Sequence, residues 1–125
     1  MTASLNKVMV IGSVGRPAEM RYMPSGRPVT CFSVGATRSW NSEDGQEQEE
    51  TEWFHVVAWG DLAERCKRSL RENHQVYIEG RLQTRSWETE DGGIQFRTEL
   101  VASDMILLGQ PAADGDHSSP SVDEW

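Results

Sequence analysis

Thr51–Gly60, T-E-W-F-H-V-V-A-W-G, runs straight into Asp61–Arg65, D-L-A-E-R. The first stretch has a two-residue period. As a strand it puts Trp53, His55, Val57 and Trp59 on one face and Phe54, Val56 and Ala58 on the other. At Asp61 the period changes. Leu62, Ala63, Cys66 and Leu70 recur at helical spacing. Asp61 is a suitable N-cap, and Glu64 three residues later completes an Asp version of the capping box. A helix is predicted over 61–72, with Asn73 as a left-handed residue at its end. Both faces of the strand carry large apolar residues, so alternation leaves open which face is the core.

Toward the N-terminus, Asn6–Val14 is a β-type apolar run whose Gly12 and Gly15 suggest a bulge or bend. Arg21–Met23 is a short extended piece before the turn Pro24-Ser25-Gly26-Arg27. Pro28–Arg38 alternates as a strand, with Phe32, Val34 and Ala36 on one side. The acidic stretch 41–50, which contains Gly45, reads as a loop. Toward the C-terminus, Gln75–Trp87 is a long strand, Glu88–Gly93 a hairpin loop and Ile94–Leu108 a last strand. From Gly109 onward Gly, Pro, Ser, Asp and Ala dominate, which predicts a folded domain over 1–108 and a disordered acidic tail over 109–125.

Three strands, one helix and two strands exclude alternating βαβ units and favour an antiparallel sheet or barrel. The fold class is all-β. A five-stranded Greek-key barrel with its helix between strands 3 and 4 is the OB-fold. Periodicity alone also admits other small α+β folds.

The net charge of −8 argues at first against a nucleic-acid partner. Its distribution reverses that. Glu43, Asp44, Glu47, Glu49, Glu50 and Glu52 fall in one short run, and Asp114, Asp116, Asp123 and Glu124 fall at the end. With those ten set aside, ten acids face twelve bases. Residues 1–42 hold Lys7, Arg16, Arg21, Arg27 and Arg38 against Glu19 alone. The local field of such a surface matters more than the total charge.

Enzyme and metal chemistry find little footing. Gly12-Ser13-Val14-Gly15 lacks a Walker lysine and GxGxxG spacing, and reads as a turn. His55, His74 and His117 are scattered without ligand partners, and Cys31 and Cys66 form no CxxC pair. Two reduced thiols in an intracellular protein are the expectation, with no cofactor and no metal. Val8–Ile11 is too short for a signal peptide core or a membrane span.

The tryptophans suggest a different chemistry. Trp40 ends one strand, Trp53 and Trp59 share a face of the next, and Trp87 lies near the end of a fourth. Bases stack on exposed aromatic planes beside cations that hold phosphates, with little dependence on base identity. Arg38 lies beside Trp40 and Arg85 beside Trp87. The competing reading is that the rings fill a core. His55 favours the platform, because a core would have to satisfy its ring nitrogens.

N-K-V-M-V-I-G at 6–12, R-Y-M-P-S-G at 21–26, T-E-W-F-H-V-V-A-W-G at 51–60, L-A-E-R at 62–65 and Q-V-Y-I-E-G-R-L-Q-T-R-S-W at 75–87 resemble the bacterial single-stranded DNA-binding protein family, in order over about residues 4–108. The resemblance implies an OB-fold, a homotetramer, and binding of single-stranded DNA during replication, recombination and repair, in the cytoplasm with the nucleoid. It implies no catalysis. The stacking aromatics it implies are Trp40, Trp53, Trp59 and Trp87. The phosphate contacts are Lys7, Arg21 and Arg85, with Arg81 and Arg97 beside them. Phe54 falls near a subunit interface, and Gln75 and Tyr77 resemble positions used between dimers.

There are departures. Asp61, Glu72 and Ser86 stand where familiar members often carry Lys, and the 41–50 stretch is more acidic. Fewer phosphate contacts mean less counterion release, so lower salt sensitivity is expected. An interaction scaffold of the primosome type, with weak DNA binding, is the alternative these departures motivate. An RNA-binding cold-shock reading is a third, but its glycine-aromatic pattern is not evident in the first strands. The chain ends P-S-V-D-E-W, where relatives carry an acidic run and an apolar tip. Two readings follow: Asp123, Glu124 and Trp125 dock on replication and repair proteins, with the aromatic in a pocket and the carboxylates on a basic rim, or the tail is solvated with no partner.

Overall fold

The computed structural model describes residues 2–16 and 18–109. Their order is β1 (Val8–Val14), β2 (Glu19–Tyr22), β3 (Pro28–Asn41), β4 (Glu47–Trp59), α1 (Asp61–Ser69), β5 (Gln75–Glu88) and β6 (Ile94–Gly109).

The strands pair in the order β1-β5-β6-β4-β3-β2, and β1 returns to pair with β3 through Ser13↔Gly35 and Val14↔Val34. That last pairing closes the sheet. β2 takes the remainder of the same β3 edge, from Tyr22↔Pro28 to Glu19↔Cys31. β1 and β2 therefore share one position in the barrel, which has five. The β4–β6 pairing, Val56↔Leu100 and Val57↔Val101, is parallel. The five-stranded barrel with its single helix after the third barrel strand is thus the observed architecture.

Alternation fills the barrel. Val10 and Val14, Phe32 and Val34, Val56 and Ala58, Val76 and Ile78, and Leu100 with Met105 all point inward and are buried. Each such aliphatic side chain contributes about 1.5–3 kcal/mol by leaving water. The helix covers the interior with Ala63 and Cys66, followed by Leu70. Thr30 Oγ1 donates to the Ala63 carbonyl at 2.7 Å in the buried space between helix and barrel. Arg65 ties the other flank of the helix to β6 through Asp104 at 3.2 Å and the Met105 carbonyl at 3.0 Å.

Several expectations change. The helix is shorter than 61–72, ending at Ser69, with Leu70 as its C-cap, whose extended backbone still donates to the Cys66 carbonyl at 2.9 Å. Asp61 is the first helical residue and not the N-cap. Gly60 caps at φ 64° with no side-chain hydrogen bond, leaving Asp61 and Glu64 to favour the positive end of the helix dipole. Asn73 is left-handed at φ 71°, but in the turn before β5 and not at the helix end. β1 runs through Gly12 without a bulge. A Cβ there would lie 2.4 Å from the Gly35 carbonyl oxygen, so this glycine permits the close approach that shuts the barrel.

The largest correction concerns the acidic stretch 41–50. It is not a loop. β3 and β4 pair without a break from Val29↔Trp59 to Asn41↔Glu47, and only Ser42–Gln46 turn. Both strands extend beyond the core, so the acids occupy the far half of a hairpin arm. β5 and β6 form a second arm, paired to Glu88↔Ile94. The tail, and the docking residues Asp123, Glu124 and Trp125 expected in it, lie outside the described residues.

Candidate nucleic-acid interface

On β4 the two faces differ, although Val57 of the outer face is also buried. Val56 and Ala58 are buried inward, with Phe54 half-buried against the same core. On the outer face Trp53 is 58% exposed, His55 is exposed and Trp59 is half-buried. The two-tryptophan face is outside a core that is already filled.

Trp53 lies on a bed of backbone. It faces Gly35 across the β3–β4 pairing. A Cβ on Gly15 would sit 2.5 Å from ring atom Cζ3, and one on Gly35 would sit 2.9 Å from both Cζ3 and Cη2. Only glycine at both positions lets the indole lie against the sheet. Its free side faces solvent.

The other tryptophans each carry a guanidinium. Arg38 lies 4.3 Å from the Trp40 ring centroid, Arg27 lies 4.7 Å from that of Trp59, and Arg97 lies 5.6 Å from that of Trp87. Attraction between a cation and the ring face holds such pairs at the surface. The Trp87 partner is a cross-strand residue. Arg85, its neighbour in sequence, instead meets the nearly buried carboxylate of Glu99, with Nε 3.4 Å from Oε1.

The expected phosphate contacts divide into two sets. Lys7 pairs with Glu79 at 3.4 Å, Arg38 with Glu50 at 3.5 Å and Arg85 with Glu99 at 3.4 Å. Arg21, Arg81 and Arg97 make no ion pair among the described residues, and neither does Arg27, which sequence reasoning did not single out. The link from Arg27 to Trp59 spans two strands, and no local pattern announces it.

The aromatics do not form one flat platform. Alternation along the β3–β4 arm puts Arg38 and Trp40 on the face continuous with the barrel interior, and Trp53 with Thr51, Glu49 and Glu47 on the opposite face. The Arg38–Glu50 pair shares the Trp40 face. On the second arm Arg81, Arg85, Trp87 and Arg97 share the outer face.

Cys31 sits on the outer face between Glu19 and Val57. Burial pushes its thiol up, with help from Glu99 and against Arg21 and Arg85. Among the described residues no three His, Cys, Asp or Glu gather as metal ligands, and no helix is long and apolar enough to cross a membrane. The residues expected at interfaces, Gln75 and Tyr77, are half-buried on the outer face of β5, opposite Ser13 and Ile11.

A family model described as the single-strand binding protein family matches residues 5–108. The chain belongs to that family. Among curated members of the single-strand binding family, Single-stranded DNA-binding protein 1 of Chlorobaculum tepidum is 42% identical over 125 residues, covering 99% of this chain and 77% of that protein. Single-stranded DNA-binding protein 1 of Xylella fastidiosa is 40% identical over 109 residues, covering 86% and 80% respectively. A solved single-strand binding protein of Plasmodium falciparum, in complex with single-stranded DNA, superposes with a TM-score of 0.80 at 29% identity. That match spans 87% of this chain and 99% of the Plasmodium chain.

Proposed function

We propose that this protein binds and protects single-stranded DNA, with little sequence preference, during replication, recombination and repair. One observation carries the reading. Trp40, Trp53, Trp59 and Trp87 stand outside a filled barrel, three of them beneath a guanidinium. Indole faces supply stacking that any base satisfies, and guanidinium groups supply phosphate contacts. His55, between Trp53 and Trp59 on the same face, adds a hydrogen-bond donor. Lys7, Arg38 and Arg85 reach a phosphate by exchanging one anionic partner for another. The protein binds and does not catalyse, and it acts in the cytoplasm on exposed strands.

Titration with oligo-dT while following tryptophan fluorescence tests this. Strong quenching that saturates at a fixed stoichiometry is the expected result. Absence of quenching and of binding would leave only a scaffold role.

Assembly as a homotetramer is part of the proposal. Met9 and Ile11 of β1 and Ile106 and Leu108 of β6 are exposed around Tyr77. Uncovered apolar groups clustered on one sheet face suit a subunit contact. Sedimentation equilibrium is expected to give four times the chain mass, and a monomeric mass would refute it.

A further inference from the structure

The β2–β3 turn delivers Arg27 to the site. The Met23 amide donates to the Arg27 carbonyl at 2.9 Å, and the Gly26 amide donates to the Met23 carbonyl at 2.7 Å. The Gly60 amide donates to the Pro28 carbonyl at 3.0 Å. That bond ties the root of the turn to the residue after Trp59. Arg27 is thereby held over the indole from a different strand. Arg21 lies on the same outer face two strands away, since it pairs with Val29, which in turn pairs with Trp59. Arg27 covers the ring and meets no carboxylate among the described residues.

A distance of 4.7 Å leaves no room for a base between guanidinium and ring. Trp59 is half-buried, and Arg27 covers a face of its ring. A base that stacks there must displace Arg27. Stacking of a base outweighs an exposed cation–π contact, so the exchange is favourable. The displaced guanidinium stays within reach of the phosphate that follows the base, and its fork suits two phosphate oxygens.

We propose that Trp59 and Arg27 form a subsite for one nucleotide, in which Arg27 leaves the ring as the base arrives and takes the adjoining phosphate. Arg27 is then a DNA-contacting residue that keeps the ring face covered until DNA replaces it. The inference rests on the single-stranded DNA reading above.

The test compares wild-type protein, Arg27→Ala and Arg27→Lys on oligo-dT over a range of salt. Arg27 is exposed in a turn, and thermal melting verifies that each variant folds. Arg27→Ala is expected to bind more weakly and to flatten the plot of log affinity against log salt by about 0.7 for each occupied subsite. The wild-type advantage should therefore shrink about 2.6-fold for each occupied subsite between 50 and 200 mM salt. Arg27→Lys should retain the wild-type slope, because it keeps the charge. A wild-type protein that does not bind oligo-dT overturns the DNA-binding reading itself. A wild-type protein that binds, with Arg27→Ala equal to it in slope, overturns the subsite alone.

Discussion

The two hairpin arms share a design and differ in charge. The β3–β4 arm turns through Ser42–Gln46 and the β5–β6 arm through Thr89–Gly93. In each, the first residue's amide donates to the last residue's carbonyl, at 2.7 Å and 2.8 Å. In each, a hydroxyl donates to an Asp two residues on, Ser42 to Asp44 and Thr89 to Asp91. In each, a left-handed glycine follows, Gly45 at φ 84° and Gly92 at φ 86°. Each arm also carries a tryptophan beneath an arginine. Yet residues 36–52 hold one base against six acids, whereas residues 81–99 hold three bases against four. Backbone geometry and electrostatics are thus set independently. A turn needs only its own few residues, while the field of the arm depends on every exposed position along it.

Loss of a ring should separate the arms most. Trp87→Ala is expected to weaken oligo-dT binding by about 1–3 kcal/mol for each base left unstacked. Trp40→Ala should cost less, because the acids around Trp40 hold the strand back. Equal losses in fluorescence or anisotropy titrations would break the contrast.

The turns should respond alike. Gly45→Ala and Gly92→Ala each put a Cβ at positive φ and should each lower stability by about 1 kcal/mol, read from the denaturant midpoint. A large inequality would show that the arms rely on different turn chemistry.

Releasing a cation should have a smaller effect. Glu99→Gln frees Arg85 from its half-exposed ion pair with the nearly buried Glu99 and should strengthen binding by about threefold to fivefold. Glu50→Gln frees Arg38 among other acids and should gain less than about twofold. The reverse order would contradict the expectation that the acids of the first arm weaken its hold on a strand.

Acid should have the smallest effect. Hydrogen bonds from Ser42 and then the Gln46 amide hold the Asp44 carboxyl below its usual range, and Thr89 and the Gly93 amide do the same for Asp91. Because the folded values are depressed, this support is present above the unfolded value, near 3.9. It is lost as pH falls through the folded value. Amide shifts of Gln46 and Gly93 should therefore move together at low pH, with the barrel amides unchanged.

The barrel was legible in the sequence where one face is apolar. Val56 and Ala58 against Trp53 and His55 give the period, and Asp61 marks the change to helix. The arms were less legible because both faces of Glu47–Glu52 meet water, so alternation carries no apolar signal there. Their strand character comes from cross-strand partners such as Arg38↔Glu50. The tryptophans proposed to stack on bases were singled out from composition and resemblance. Of their cations Arg38 beside Trp40 was legible too, but proximity in sequence paired Arg85 with Trp87 where the fold supplies Arg97. Arg27 and Trp59, 32 residues apart, meet only once β2, β3 and β4 are aligned.

The glycine bed beneath Trp53 has an entropic consequence. A side chain immobilised on binding forfeits rotamer freedom, about 0.5–1.5 kcal/mol each. Trp53 has already forfeited it, because Gly15 and Gly35 fix the plane of its indole when the barrel folds. A methyl group at either glycine would tilt the ring and return that freedom. The barrel would survive, but a base arriving at Trp53 would then have to halt a moving partner as well as itself.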